Sequence, residues 1–301
     1  MINIGITGGA SVVAGELIRL LINHTDSNVK WVSSTNATGP ISSHHKGLLG
    51  ECDLSFSAPL LDEVDVVFCC DKSSSQWIMQ AGASFEKLRI IDLTHSINHK
   101  EIIYGLCEIN RKFMVHDCYD IVNLPTPGAM VTLLSLIPLA KSQILGSDIH
   151  VKIECGKLFG HELQQLDADF DDEIMVVLKA LQPSFKSNLH VKTCSAEQHP
   201  RGIKATVTTD CKDDIDIVKQ LFIDYYDDHN FTFLSEEEVD TSHVVNTNKC
   251  LLHLSSNGNN LQITAVADAL LKGAAGNAVH AMNLLFGLHE RTGLALKAQV
   301  F

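Results

Sequence analysis

The chain opens on "MINIGITGGASVVAGELIRLLINH" (residues 1–24), and the reading of this stretch decides the fold. INIGIT (2–7) is a short, mostly apolar run, the composition of a strand buried on both faces. Gly8 and Gly9 interrupt it, and Leu17, Leu20 and Leu21 then recur at the spacing of one helix face. A buried strand, a glycine turn and an amphipathic helix form the start of a parallel βαβ unit. Such a turn brings backbone N–H groups to the positive end of the helix, where a pyrophosphate can be held. Gly8, Gly9 and Ser11 are the candidate contacts. In a G-x-x-G-x-x-G frame the marked positions fall on Gly8, Ser11 and Ala14, so one glycine of three is kept. A plain tight turn is the competing reading.

Working outward, VKWVSSTN (29–36), VDVVFCC (64–70), LRIIDLT (88–94) and YDIVNLP (119–125) continue as strands between helical patterns. The fold class is α/β: a Rossmann-like, doubly wound sheet over residues 1–125. After the helical run AMVTLLSLIPLAK the texture changes. SDIHVKIECG, NLHVKTCS, GIKATVTT, HVVNTNKCLLHLSS and NNLQITAVAD carry β-branched residues in alternation, with helices near 160–181 and 213–226. This predicts an α+β second domain with a mixed or antiparallel sheet over 126–273, and a C-terminal segment, 274–301, that rejoins the first domain. Its helix runs from about Gly276 to Leu288.

A cofactor with a free ribose 2′-hydroxyl usually meets Asp or Glu at the end of the second strand. Ser33, Ser34, Thr35 and Asn36 stand there instead, which fits NADP(H) better than NAD. A formal net charge of −13 argues against a nucleic-acid or anionic-membrane partner. Nine scattered cysteines without CxxC or Cys/His spacing point to reduced thiols in the cytoplasm and to no metal site. No run reaches the ~18 apolar residues of a membrane span.

Several stretches resemble the N-acetyl-gamma-glutamyl-phosphate reductases of arginine biosynthesis, in collinear order. They are GGASVVAGELIRLLINH, GLLGECDLSF, DVVFCC, IIDLT, YGLCEINR (104–111), PGAMVTLLSLIPLAK and LLKGAAGNAVHAMNLLFGL (270–288). The resemblance implies a Rossmann domain, an α+β domain carrying the reacting groups and a homo-oligomer interface, and a C-terminal helix that returns to the cofactor with Gly276 and Asn277. It also implies NADPH-dependent reduction of an N-acyl-glutamyl phosphate to the semialdehyde. In that chemistry a Cys thiolate displaces phosphate to give a thioester, which then accepts hydride.

The departures fall on the chemistry. The family's PGC becomes Pro127-Gly128-Ala129, which puts Ala129 at the nucleophile position. A shifted register would put Pro125 or Pro127 there, and no cysteine lies between Cys118 and Cys155 in any case. The segment holding the family's His-x-His-x-x-Glu motif is shortened: Glu173 matches its end, while the histidine positions fall near Ala168 and Phe170. His161 is the one candidate base upstream. Asn98 stands where an arginine is expected, and Asp71-Lys72-Ser73 replaces a PHG turn. Cys155 is the candidate substitute nucleophile, and Arg201 in HPRGIKA resembles a substrate-side arginine. Two readings remain open. One is a reductase-like protein impaired in catalysis, acting through a nucleotide or a protein partner. The other is an active NADP-dependent oxidoreductase with a relocated nucleophile or a different substrate.

Overall fold

The computed structural model describes residues 1–82, 88–97, 102–116, 121–156, 170–186, 188–196 and 200–298. The chain divides into two compact units: Met1–Pro125 with Ala274–Ala295, and Thr126–Gly273 with Leu296–Phe301.

The first unit is built on six strands, β1 (Ile2–Thr7), β2 (Ser27–Val32), β3 (Val66–Cys69), β4 (Arg89–Asp92), β5 (Ile102–Tyr104) and β6 (Ile121–Asn123). All pair in parallel, in the order β2-β1-β3-β4-β6-β5. Ile4, Ile6, Val66, Val67 and Phe68 are fully buried, as expected of strands covered on both faces. Five of these strands are legible in the sequence; the three residues of β5 are too few to show a period.

The helices that accompany this sheet include α1 (Val12–Leu21), the single turn α2 (Ile41–His44), α3 (Lys72–Gly82) and α4 (Cys107–His116). The Ser11 hydroxyl caps α1 by accepting from the Ala14 N–H at 3.1 Å.

The second unit centres on α5 (Pro127–Lys141), buried from Gly128 to Ala140. Pro138 lies inside it and lacks the N–H that would reach the Leu134 carbonyl. The Tyr226 hydroxyl donates to that carbonyl instead, at 2.6 Å. Tyr226 ends helix α7 (Ile215–Tyr226), and helix α6 (Phe170–Leu181) packs on α5.

Six strands form this unit's sheet: β7 (Asp148–Gly156), β8 (Asn188–Ala196), β9 (Gly202–Asp210), β10 (Thr232–Leu234), β11 (Cys250–Asn257) and β12 (Asn260–Asp268). Their order is β10-β11-β12-β9-β7-β8. The sheet is mixed: β7 with β8 and β10 with β11 are parallel, and the other pairs antiparallel. The stretch HVVNTNKC, read as strand, is a turn in which Asn246 takes a positive φ of 66°, and β11 begins only at Cys250.

The last helix, α8 (Gly276–Leu285), follows a π-helical turn at Leu271–Ala275 and belongs to the first unit. It is wholly buried and packs on α1 and α4. Past it, the Lys297 carbonyl accepts from Asn246, within the second unit.

Candidate functional site

Beyond the C-terminal ends of β1, β2 and β3 lies a cavity of about 540 Å³. Ligands of open parallel sheets bind in this kind of crevice. Its lining includes Thr7, Ser33, Ser34, Thr35 and Thr38, with the rings of Phe56 and Trp77, and no lining residue carries a charge. Ser34 is set by its own loop: its hydroxyl accepts from the Asn36 and Ala37 N–H groups, both at 3.1 Å. A hydroxyl used twice as an acceptor still has its proton to donate. Asn36 is exposed on the same turn and is not part of the lining.

The glycine turn sits against this cavity's strands. Gly8 takes φ +62°, and a Cβ there would lie 2.6 Å from an Asp71 carboxylate oxygen and 2.8 Å from the Cys70 carbonyl carbon. Only glycine fits that approach. The Gly9 N–H donates to the Ser33 carbonyl at 2.8 Å, which ties the turn to the end of β2. Two histidines the sequence reading did not single out hold the turn's carbonyls: His45 Nε2 is 2.7 Å from Gly9 O and His44 Nε2 is 2.9 Å from Ala10 O. Nothing in their spacing marks them, because α2 is one turn long and its docking is tertiary. Asp71 caps α3, accepting from the Ser74 N–H and from the Ser73 and Ser74 hydroxyls. Burial pushes its carboxyl up, but these hydrogen bonds outweigh burial and hold it below the usual carboxylate value.

In the second unit, Ala129 lies two residues inside the N-terminus of α5 and is fully buried. The Thr126 hydroxyl accepts from the Ala129 N–H at 3.4 Å. That hydroxyl in turn donates to one Glu173 carboxylate oxygen at 2.7 Å, and the Thr126 N–H reaches the other at 3.1 Å. The Glu173 carboxylate thus holds the residue that caps α5. The sequence placed Glu173 at the end of a catalytic motif; the structure gives it this capping contact.

Cys155 is buried in β7, and burial pushes its thiol up to about 12 against a backbone hydrogen bond from Gly156. Such a thiol carries almost no thiolate at neutral pH. Arg201 pairs with the wholly buried Asp268, Nε lying 2.9 Å from one carboxylate oxygen and Nη2 3.3 Å from the other. The same carboxylate accepts from the Asn246, Leu270 and Leu271 N–H groups. Burial raises Asp268 by more than Arg201 and these bonds lower it.

Gly276 and Asn277 are buried in α8. The Asn277 amide donates to Gly105 O at 3.0 Å and its oxygen lies 3.8 Å from Cys107 Sγ, so both ends are engaged within the unit. His161 and Asn98 lie outside the described residues. His95, which the sequence reading passed over, follows β4 at a positive φ of 53°, with Nδ1 3.3 Å from Leu124 O.

These two units match two family descriptions: "Semialdehyde dehydrogenase, NAD binding domain" over residues 3–116 and "Semialdehyde dehydrogenase, dimerisation domain" over residues 171–269. Solved structures of this class share the fold. A probable aspartate-semialdehyde dehydrogenase from Pseudomonas aeruginosa superposes with a TM-score of 0.71 at 15% identity, covering 95% of this chain and 98% of that one. Aspartate semialdehyde dehydrogenase with NADP from Candida albicans gives 0.69 at 11%, with the same coverage. The molecule is therefore of the semialdehyde dehydrogenase class. Within it, the sequence is 38% identical to N-acetyl-gamma-glutamyl-phosphate reductase of Parabacteroides distasonis and 39% identical to that of Azobacteroides pseudotrichonymphae. Each alignment spans 327 residues and all of both chains. The chain belongs to the N-acetyl-gamma-glutamyl-phosphate reductase family.

Among the described residues no helix is long and apolar enough to cross a membrane, and eight cysteines are free thiols.

Proposed function

We propose that this chain binds NADP(H) through its first unit and has given up the thioester step of its family's reaction. The cofactor fits the residues present. The glycine turn and the neutral, hydroxyl-rich cavity after β2 suit a nucleotide whose 2′-phosphate would be met by Ser33, Ser34 and Thr35 rather than repelled by a carboxylate. When bound, NADPH supplies hydride. The family reaction also needs a nucleophile to take the acyl group from phosphate, and a base to manage its proton.

The observation that carries the reading is at α5. Ala129 has no atom that can attack, and its N–H is closed off by Thr126, itself held by Glu173. Cys155, buried and pushed up to about 12, does not favour a relocated nucleophile. With the base and arginine positions altered in sequence as well, the nucleophile is one of several losses. Such a protein works in the cytoplasm as a homo-oligomer, and its effect runs through the nucleotide or a protein partner that it binds.

The test runs the family reaction backwards. N-acetylglutamate semialdehyde, phosphate and NADP⁺ are mixed with the protein and absorbance of NADPH is followed, a reductase of the family serving as control. Expected is no turnover, together with an NADPH-dependent rise in Tm. Turnover within a hundredfold of the control overturns the loss of catalysis. No response of Tm to NADPH or NADH overturns the cofactor assignment.

A further inference from the structure

We propose that Asp148, His150 and His190 form a binding site for one Zn²⁺-class divalent cation on the sheet of the second unit. The sequence gives no hint of it, since the two histidines are forty positions apart and match no metal-binding spacing. Strand register brings them together. β7 and β8 run parallel with His150 opposite His190, and the side-chain alternation puts both on the exposed face along with Asp148.

The three side chains converge. His150 Nε2 lies 3.0 Å from one Asp148 carboxylate oxygen and His190 Nε2 3.1 Å from the other. The rings stack with centroids 4.8 Å apart and planes 16° from parallel. All three donor atoms lie within 4.8 Å of one another. Ligands at about 2.0–2.2 Å around a tetrahedral zinc sit roughly 3.3 Å apart, so small side-chain rotations open this triangle to the ion. Two imidazoles and one carboxylate are a donor set for zinc and its borderline neighbours rather than for Mg²⁺ or Ca²⁺. All three side chains are more than half exposed, which leaves water to complete the coordination.

The carboxylate ligand is also held in place. Asp210, at the end of β9, accepts from the Ser147 N–H at 2.6 Å, from the Ser147 hydroxyl, and from the Asp148 N–H at 3.4 Å. That fixes the backbone entering β7 and adds a second negative charge beside the site. Along the same strands, Lys152 pairs with Glu154 at 2.9 Å, and Lys192 lies opposite it on β8. β8 is the last strand of the sheet, so an ion held by both strands staples the edge strand to its neighbour.

The experiment titrates the chelator-treated full chain with Co²⁺, whose visible spectrum reports its ligands, and then follows Tm with Zn²⁺. Expected is one Co²⁺ per chain without a thiolate charge-transfer band, and a Tm that rises with Zn²⁺. The double variant His150→Ala/His190→Ala should bind at least about 100-fold more weakly and lose the Zn²⁺ effect on Tm, since even outer-shell changes cost 10–100-fold. Its Tm without metal checks the fold. Asp148→Asn, which keeps the hydrogen-bond acceptor and removes the charge, should weaken binding at least tenfold. Binding that survives the double variant, a thiolate band from the chain's cysteines, or no stoichiometric uptake overturns the site.

Discussion

The N-termini of α1 and α5 are both capped by a hydroxyl, Ser11 on the Ala14 N–H and Thr126 on the Ala129 N–H. Both follow a strand of the first unit's sheet, β1 and β6, and both are entered through small or rigid residues. Beside the first lies an open, neutral cavity of about 540 Å³. The second is buried, and its cap is taken up by Glu173. A cofactor must enter and leave, so its site keeps volume and hydroxyls at its surface. At the second terminus the buried carboxylate has its hydrogen bonds met by Thr126. The two ends of helix differ in what stands beside them, a cavity at one and a carboxylate of the chain at the other.

The largest expected effect tests whether the second terminus is closed chemically as well as sterically. Loss of a nucleophile alone costs an enzyme on the order of 10⁶ in kcat. Ala129→Cys should not restore turnover, because the new thiol would be buried beside the Glu173 carboxylate, which disfavours a thiolate. Its alkylation by iodoacetamide should be slow, and should accelerate when Glu173→Gln is added. Turnover of Ala129→Cys within tenfold of a family reductase would break the comparison.

Next in size is the ion pair that holds Arg201 against Asp268. Arg201→Met leaves the Asp268 carboxylate buried without its partner, and urea denaturation should register a loss of about 3 kcal/mol. Arg201→Met/Asp268→Leu should recover most of it. A variant that keeps full stability and loses ligand affinity would return Arg201 to a binding role.

At the first terminus, Gly8→Ala should cost about 2 kcal/mol, since a side chain at φ +62° is strained and its Cβ meets Asp71 and the backbone of Cys70. The same variant should lose the NADPH-induced rise in Tm. An unaltered rise would mean that the turn takes no part in holding the cofactor.

Much of this was legible from residues alone. INIGIT and its glycine turn specify a parallel, two-sided sheet through composition and spacing, and both sheets follow from that kind of pattern. What escaped was set by contacts distant in sequence. β5 is three residues long, and His44 and His45 reach Gly9 and Ala10 only because the chain folds back. Glu173 could be matched to a motif, but its grip on Thr126 spans 47 positions. Arg201 is paired with Asp268 across 67 positions, which its own stretch of sequence does not show. Residue types can be read from the sequence; which of them already have partners within the fold cannot.

The smallest effect concerns Asp71, which sits against the first terminus as Glu173 sits against the second. It caps α3 and occupies the space that a Cβ on Gly8 would need, without lining the cavity. Asp71→Ala should cost about 1 kcal/mol at pH 7, the usual value of an N-cap. The folded carboxyl titrates below its ordinary value of 3.8, so its stabilisation is fully present above that pH and drains away as the pH falls through the lower, folded value. Stability of wild type and variant, measured by urea between pH 7 and pH 2.5, should therefore converge at the acid end. A difference that persists undiminished at pH 2.5 would mean that Asp71 acts through packing against the turn and not through its charge. In that case the carboxylate beside Gly8 would no longer mirror the one beside Thr126, and the two helix ends would differ in electrostatics as well as in access.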